Sequence, residues 1–572
     1  MEYNWNLNEL YKKKDDFYFD MTVVRDKIKK LLEHREIKID GTNLYNLMNE
    51  CFDIRRINSK TLLYASLNYY SDINNESFIT MKNQAEELDS YVLEETSFID
   101  ELITIIDDDK LEEFYKECTS LLDYKYYIDN VKRTVNHLGF DNIDKINSNI
   151  LDINKNIVKY NTLFKDMNFG VLDGVLLNNT NVNEYLISNK RDIRKKTFLN
   201  INNSYLEKGD LFYSIYSSII GFRKDNALLK NYNSVLENEL DKDNINCSYI
   251  NNLINIVNEN IHIMNRYLSL KCNYLDILNP SLYDINLSMS NNTNTYSIDR
   301  AFEILDNVFI KFGKDYFNEY ELIKNKNYLD LSCNDRKHPS IVFSWNNYVF
   351  MNYKERYIDL KNLSHEIGHV INYSLSLKKQ SFIYSDSNVF VGEVASLVNE
   401  ILLNDYLWKC SSDKEEKIFY LSKIIENFIS QVYRQTMYTE FENLVYNSNQ
   451  LDLDLLNDGY LSLIRKYYGN VLSIDDSIRC EWMRVGHLFR WNYYMYKYAS
   501  GYLLAFNIVN NLSKDGYLDK YIDFLSNGSS MDAASLLKKI DIDIYDKDIF
   551  VNSFTLLEEY INELEELLCK EK

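Results

Sequence analysis

The spacing of apolar residues at both ends of the chain predicts amphipathic helices. Near the start, Val24, Ile28, Leu31 and Leu32 lie at i, i+4, i+7 and i+8, which is one face of a helix. Near the end, a longer set repeats at spacings of four and three: Phe550, Phe554, Leu557, Ile561, Leu564 and Leu568. We therefore expect a long terminal helix packed against the rest of the protein, and successive helices through the first 200 residues.

One segment has the pattern of strands. Between residues 341 and 353, the stretches IVFSW and YVFMNY flank Asn346-Asn347, a pair suited to a tight turn. We expect a small antiparallel sheet here, directly before the helix that carries the main motif. Its role stays open between ordinary support and an exposed edge that holds an extended peptide.

The composition favours a mainly α protein. Only 2 prolines and 15 glycines interrupt 572 residues, 45% of which are apolar, and this favours long helices. The length exceeds that of one typical hydrophobic core. We therefore predict two helical lobes, with a helical N-terminal lobe at residues 1–200 and the catalytic domain at residues 201–572.

The net charge and the cysteines limit which binding partners and which cellular compartment we expect. A formal charge of −22 would repel nucleic acid and anionic membranes. The sequence shows neither a signal-peptide pattern at Met1 nor an apolar run of 18 residues. The eight cysteines are scattered without short paired spacings, which favours reduced thiols. We expect a cytoplasmic protein without nucleic-acid or membrane partners.

The sequence HEIGH at residues 365–369 is the motif that indicates a metal-binding catalytic site. On a helix, His365 and His369 project from one face a turn apart, a spacing that suits two imidazoles on one Zn²⁺ ion. Glu366 lies about 100° around the helix, where it can act as general base toward a metal-activated water. The alternative is a helix with two incidental histidines.

A second helix offers the third protein ligand that a catalytic zinc ion needs. Glu393 begins the segment EVASLVNE, which has an otherwise apolar face. Glu400 lies two turns further on that helix, where a carboxylate could orient a ligand histidine or simply be solvated. The predicted metal site is therefore one Zn²⁺ held by His365, His369 and Glu393.

An aromatic segment at residues 482–502 is the candidate source of hydrogen-bond donors. It contains His487 and a run of tyrosines. Such donors stabilise the oxyanion that forms when a peptide carbonyl is attacked. Taken alone, the segment is more typical of a core helix with a structural histidine than of a catalytic site.

Several blocks in order resemble oligoendopeptidase F, a branch of the thimet-oligopeptidase-like zinc metallopeptidases. The blocks lie at residues 5–11, 348–353, 365–369, 393–400 and 434–442. The resemblance implies a helical shell around a deep channel that admits only short, unfolded peptides. It also implies that His487 and a nearby tyrosine, with Tyr496 favoured over Tyr493, stabilise the oxyanion.

The chain departs from the family pattern in two places. Gly486 stands where proline is commoner, which affects the alignment of the tyrosines that follow. The segment at residues 333–340 lacks a Gly-Ala-Tyr-like run, so a substrate-facing loop could differ.

These features predict a zinc-dependent oligoendopeptidase that hydrolyses internal bonds of short peptides. Two alternatives remain open. A zinc aminopeptidase would share the three ligands but would need an anionic site for the free amino terminus. A non-enzymatic peptide-binding protein would have lost catalysis while keeping the motif.

Overall fold

The computed structural model describes residues 4–137, 142–290, 294–334, 337–338, 342–388 and 390–569. The chain divides into two compact units, each built from separate stretches of sequence. Unit 1 comprises residues 1–138, 294–388 and 518–532, and unit 2 comprises residues 139–293, 389–517 and 533–572. Both are predominantly helical, so the mainly α fold class is confirmed. The boundary near residue 200 stays a prediction.

Unit 1 starts with a set of packed helices whose buried apolar residues form one core. The first helix buries Phe17, Val24, Ile28 and Leu31 completely, as the spacing predicts, while Leu32 is only partly buried at the edge of this core. The α-helices of the unit are Lys14–Glu33, Gly41–Ser71, Glu76–Thr96, Phe98–Ile105, Asp108–Glu117, Lys125–Thr134, Ile298–Phe309, Gly313–Asn325, Tyr357–Lys379 and, except for its first residue, Tyr517–Leu525. Its 3₁₀ turns are Leu7–Glu9, Thr119–Tyr124, Val135–His137, Ile310–Phe312 and Phe382–Tyr384.

The predicted hairpin is present in unit 1. Strands Phe343–Trp345 and Tyr348–Phe350 pair antiparallel, with Asn346 in the left-handed region at φ 52° in the turn. A third strand, Leu329–Asp330, adds in parallel to the second and makes the sheet mixed. Ile341, which the sequence places in the first strand, lies outside the described residues. The small sheet beside the motif helix is therefore confirmed.

Unit 2 is organised around the helix Met495–Asn511, which we call the tyrosine helix. It packs against Val394–Cys410, Arg434–Asn447 and the predicted terminal helix Lys547–Cys569. The other α-helices are Ile143–Lys165, Val182–Leu186, Arg191–Glu207, Gly209–Leu229, Val235–Asp241, Ser248–Glu259, Ile261–Tyr274, Lys414–Phe428, Leu453–Tyr468, Gly486–Arg490 and Ala533–Lys538. The π-helix Ile429–Tyr433 and the 3₁₀ helices Leu282–Asp284 and Asp476–Arg484 complete the unit.

A second hairpin in unit 2 was not expected from the helical pattern. Strands Asn168–Leu172 and Val175–Asn178 pair antiparallel. Asp173 and Gly174 connect them at φ 52° and 83°, a turn that requires the left-handed region at both positions. The Asp-Gly pair between short apolar runs was the local signal for this hairpin.

The motif helix, Tyr357–Lys379, is fixed by hydrogen bonds at its start and on its later turns. The buried Asp359 accepts backbone N–H groups of Lys354 and Arg356 at 3.1 and 3.0 Å, and also pairs with the Arg356 guanidinium. Further along, the Asn372 side chain donates to the Leu525 carbonyl at 2.7 Å. The interior of the helix is apolar, with Leu363, Ile367 and other residues fully buried.

The described part of the chain bears on two further expectations. All eight cysteines are free thiols. Within the described residues, no helix combines the length and the apolar character needed to cross a membrane.

We predict that Asp359→Ala lowers the stability of the protein by about 1–3 kcal/mol, because N–H groups at the start of the motif helix lose a charged acceptor. The urea midpoint of unfolding, followed by circular dichroism, measures the change. As a control, Asp53→Ala removes an ion-paired carboxylate that is one-third exposed and should change stability by less than about 1 kcal/mol. Equal effects of the two substitutions would contradict the anchoring role of Asp359.

Candidate metal centre and catalytic site

The two histidines of the motif lie side by side on the motif helix. Their Nε2 atoms are 3.2 Å apart, and the rings are nearly perpendicular, at 80° with centroids 4.9 Å apart. Both side chains are partly exposed, although the flanking residues of the helix are buried. The periodicity of the helix therefore brings two imidazole nitrogens to one accessible point, as the spacing predicts.

Glu393 supplies a carboxylate near these nitrogens. One ligand atom from each of His365, His369 and Glu393 lies within 4.8 Å of the others. Glu393 is the residue before the helix Val394–Cys410. The predicted three-residue group is therefore brought together.

The spacing of the two histidine nitrogens fits a zinc ion. Tetrahedral coordination with Zn–N distances of about 2.0–2.1 Å puts neighbouring donor atoms about 3.3–3.5 Å apart. The 3.2 Å separation of the two Nε2 atoms is close to this value. Two imidazoles and a carboxylate also form a donor set that zinc accepts with a position left for substrate.

Two further carboxylates lie on the two helices. Glu366, next to His365, is buried with 8% of its surface exposed. Glu400, two turns along the helix from Glu393, is buried with 6% exposed, so the reading of Glu400 as a solvated glutamate is wrong. Its pairing with a ligand histidine stays a prediction.

His487 lies on the short helix Gly486–Arg490 and is surrounded by aromatic rings. Its Nε2 atom is 3.3 Å from the hydroxyl oxygen of Tyr498. The imidazole ring also contacts Trp491 and Tyr494. Burial lowers the pKa of His487, and the nearby Arg490 lowers it further. A neutral imidazole is therefore favoured, and it can share one hydrogen bond with Tyr498.

Gly486 provides the space for Arg490. A Cβ atom at position 486 would lie 2.8 Å from Nη1 of Arg490. That guanidinium donates to the Asn161 side chain at 2.8 and 3.2 Å. This chain therefore has glycine where proline is commoner, and Arg490 lies close to the backbone beside His487.

Tyr494, the residue before the tyrosine helix, and Tyr498, on the first turn of that helix, are the tyrosines next to His487. Their rings contact each other with centroids 5.3 Å apart. Burial raises the pKa of Tyr498 to about 12, and the charges of Tyr494 and Glu393 act in the same direction. Burial and Glu393 also raise the pKa of Tyr494. Both hydroxyls therefore lie within the electrostatic reach of Glu393 and remain protonated at neutral pH.

The two tyrosines selected from the sequence make other contacts. Tyr496 is fully buried, and its hydroxyl donates to Asp243 at 3.2 Å. Asp243 also pairs with Lys497 at 2.6 Å. Tyr493 is buried with its ring against Tyr446. The structure thus brings neither hydroxyl into a described contact with His487.

Comparison with known proteins gives the family. Residues 185–556 match the family model described as peptidase family M3. The chain belongs to peptidase family M3. This span contains the motif helix, Glu393, His487 and the tyrosine helix. Members of this family are peptidases, so the prediction that the chain is a peptidase is confirmed.

Relatives within the family support the resemblance to oligoendopeptidase F. Oligopeptidase PepF of Bacillus subtilis is 26% identical over 100% of this chain and 88% of its own length. The oligoendopeptidase F homolog of Borreliella burgdorferi is 24% identical over 98% of each chain. The resemblance to this branch is therefore confirmed.

Solved structures share the fold. A structure from Chlamydophila abortus superposes with a TM-score of 0.89 at 24% identity, covering 99% of this chain and 98% of that one. Oligoendopeptidase-F from Enterococcus faecium gives 0.71 at 21% identity, covering 98% and 100%. At these identities the likeness establishes the fold of the M3 chain.

The loop before the tyrosine helix is held by a buried carboxyl group. Tyr493 has φ 41°, and its backbone N–H donates to Glu442 at 2.6 Å. Burial raises the pKa of Glu442 to about 8; Tyr493 N–H and Arg223 oppose this shift, and Glu239 adds to it. Near neutral pH the folded protein therefore holds Glu442 largely protonated.

This elevated pKa predicts a loss of stability with rising pH. Between the usual pKa of a glutamate and about 8, unfolding releases the proton of Glu442, so stability falls as pH rises through this range. The Glu442→Gln variant has no carboxyl group to titrate at this position and should lack this pH dependence. Its free energy of unfolding should therefore rise relative to that of the native protein between pH 5 and 8.5. Each unit of pKa shift corresponds to about 1.4 kcal/mol, and we expect a relative gain of a few kcal/mol in urea unfolding. A difference that stays constant with pH would contradict the prediction.

Proposed function

We propose that this M3 peptidase is a zinc-dependent oligoendopeptidase that cuts internal bonds of short, unfolded peptides. The observation that supports this most strongly is the group of His365, His369 and Glu393, whose ligand atoms lie within 4.8 Å of one another. The names of the relatives, oligopeptidase and oligoendopeptidase, support the choice of short peptides. In this proposal the three residues hold one zinc ion.

When bound by these residues, a zinc ion would supply Lewis acidity toward the substrate carbonyl and the attacking water. Glu366 takes the proton of the attacking water and passes it to the leaving amine. Its position beside His365 and its buried carboxylate support this role. Glu393 and the two imidazoles complete a donor set that leaves room for the substrate.

His487 and Tyr498 stabilise the negative charge that develops on the carbonyl oxygen. The 3.3 Å contact between them and the influence of Glu393 on Tyr498 support this pair. Donors of this kind are typically worth about 2.7–4 kcal/mol of barrier lowering. Tyr494 supports the pair through its ring contacts. We favour Tyr498 over the sequence-based choices Tyr496 and Tyr493, since Tyr496 already donates to Asp243.

The remaining expectations extend this proposal. The exclusion of folded proteins by a deep channel, the cytoplasmic location and the absence of nucleic-acid and membrane partners stay predictions. The charge of −22 supports the last of these. Aminopeptidase activity and peptide binding without catalysis are the outcomes that would replace the proposal.

Purified protein should cleave N-blocked short peptides at internal bonds and leave a folded protein intact, with a chelator abolishing the cuts. Glu366→Gln should lower kcat by about 10²–10⁴ while retaining zinc, because the base is not a ligand. Mass spectrometry locates the cuts, and elemental analysis measures the metal.

An active Glu366→Gln protein would refute the mechanism. Cleavage confined to peptides with a free amino terminus would establish an aminopeptidase. Peptide binding without any cleavage in zinc-loaded protein would establish a binding protein.

Tyr498→Phe should lower kcat by about 10²–10³ with little change in KM, because the hydroxyl acts mainly as the oxyanion forms. Tyr496→Phe is the matched control on the same helix, and it should lower thermal stability while kcat changes less than about threefold. Steady-state kinetics on one N-blocked fluorogenic peptide and a thermal melt of each variant test this. The opposite ranking of the two variants in kcat would restore Tyr496 to the catalytic role.

A further inference from the structure

A cavity of about 290 Å³ lies beside His487 in unit 2. Its lining includes His487 itself, Gln435 and Arg484. A larger cavity of about 600 Å³ shares Arg434, Glu481 and Arg484 with it. The shared residues make the two cavities neighbours, with the side chains of Arg434, Glu481 and Arg484 in the wall of both.

The larger cavity has an excess of positive charge. Four cationic side chains line it, against two carboxylates: Lys271, Lys423, Arg434 and Arg484 against Glu426 and Glu481. The chain as a whole carries −22. A positive pocket in so acidic a protein favours the entry of an anionic group.

Glu426 forms ion pairs with the two lysines of the larger cavity. It pairs with Lys271 at 2.5 Å and with Lys423 at 2.9 Å, and it accepts the Tyr267 hydroxyl at 3.1 Å. Burial acts to raise the pKa of Glu426, but the two lysines hold it below its usual range. This carboxylate is therefore ionised, and its oxygens already accept hydrogen bonds from groups of the protein.

Glu481 is engaged in the same way. One oxygen accepts from the Arg434 guanidinium at 2.6 Å, and the other accepts the Tyr460 hydroxyl at 2.8 Å. The Arg434 guanidinium also donates to Tyr438 at 2.7 Å. Three of the four cations thus have carboxylate partners within the protein.

Among the described residues, Arg484 is the cation of the cavity without a direct carboxylate contact, although its charge helps to lower the pKa of the nearby Glu481. In the stretches of chain that the structure describes, its guanidinium makes neither a hydrogen bond nor an ion pair. The side chain is half-buried, carries five N–H donors and lines both cavities. Donors left unsatisfied in a partly buried site are costly, and a planar carboxylate matches the guanidinium fork with two parallel hydrogen bonds.

The backbone of the larger cavity is irregular. Ile429 and Ser430, the first residues of the π-helix Ile429–Tyr433, contribute to its wall. Single π-turns within long helices frequently occur at functional sites. The irregular turn is thus consistent with a wall shaped for a ligand.

We propose that Arg484 binds a carboxylate of the peptide substrate and so holds one side of the cut bond in these cavities while the bond itself lies at His487. The inference rests on the proposed peptidase function and deepens it by naming the substrate group. The carboxylate has two possible sources, the C-terminus of the peptide or an acidic side chain, and both present the same two oxygens.

Binding of three fluorescent, N-blocked peptides to the full-length Glu366→Gln protein tests this without turnover. The first has neutral side chains and a free C-terminal carboxylate, the second is its C-terminal amide, and the third is the amide with one glutamate near the C-terminus. Fluorescence anisotropy should show that the first binds about 10–100-fold more tightly than the second. Tight binding of the third peptide without tight binding of the first would assign the carboxylate to an acidic side chain.

Arg484→Gln should remove this preference and leave the affinity for the neutral amide within about twofold. Arg484→Lys keeps the charge but loses the fork, so its preference should be intermediate. Arg479→Gln is the matched control, because Arg479 lies on the same 3₁₀ helix, pairs with Asp458 at 3.4 Å and lines neither cavity. It should keep the full preference.

Equal affinity of all three peptides in the Glu366→Gln protein, or equal losses for all peptides in Arg484→Gln, would overturn the proposal. Either result could coexist with cleavage by the native enzyme, which would leave the peptidase function intact. Carboxylate selectivity that depends on Arg484, together with absence of cleavage by zinc-loaded native protein, would support the Arg484 site and refute the peptidase function.

Discussion

The close approach of two imidazole nitrogens on adjacent turns of one helix is the constraint on which the candidate site depends. Nitrogens 3.2 Å apart can share one proton or one metal ion, but two positive imidazolium rings would repel each other at this distance. Keeping them there requires a helix that neither unwinds nor rotates. Asp359 at its start and Asn372 on a later turn provide that rigidity, and the apolar residues between them fix which face turns inward.

Unit 2 arranges its polar groups around tyrosine hydroxyls. A buried tyrosine contributes a large apolar surface together with a hydroxyl that needs a partner. In Tyr460 and Tyr496 that partner is a carboxylate, whereas in Tyr498 it is His487. The abundance of tyrosine therefore reflects packing in most places, and only the partner distinguishes a structural hydroxyl from one available to a substrate.

Much of the fold and the metal site could be predicted from the sequence, because both depend on regular spacing. His365 and His369 share a face by helical geometry alone, and the apolar repeat at the end of the chain requires a long helix. The oxyanion tyrosine could not be chosen in this way. The choice depends on which partners surround the tyrosine helix: Tyr498 lies 3.3 Å from His487, whereas Tyr496 donates to Asp243. The hairpin at residues 168–178 was missed because its strands are short, although Asp173-Gly174 was a usable signal.

The space that Gly486 leaves for Arg490 links position 486 to the basicity of His487. A proline at 486, as is commoner among oligoendopeptidases of this kind, would displace a guanidinium whose charge depresses the basicity of His487 and whose donors hold Asn161. Because that guanidinium is the end of an exposed, flexible side chain, it would move aside at little cost to stability. A larger residue at 486 would therefore act on the basicity of His487 rather than on the fold.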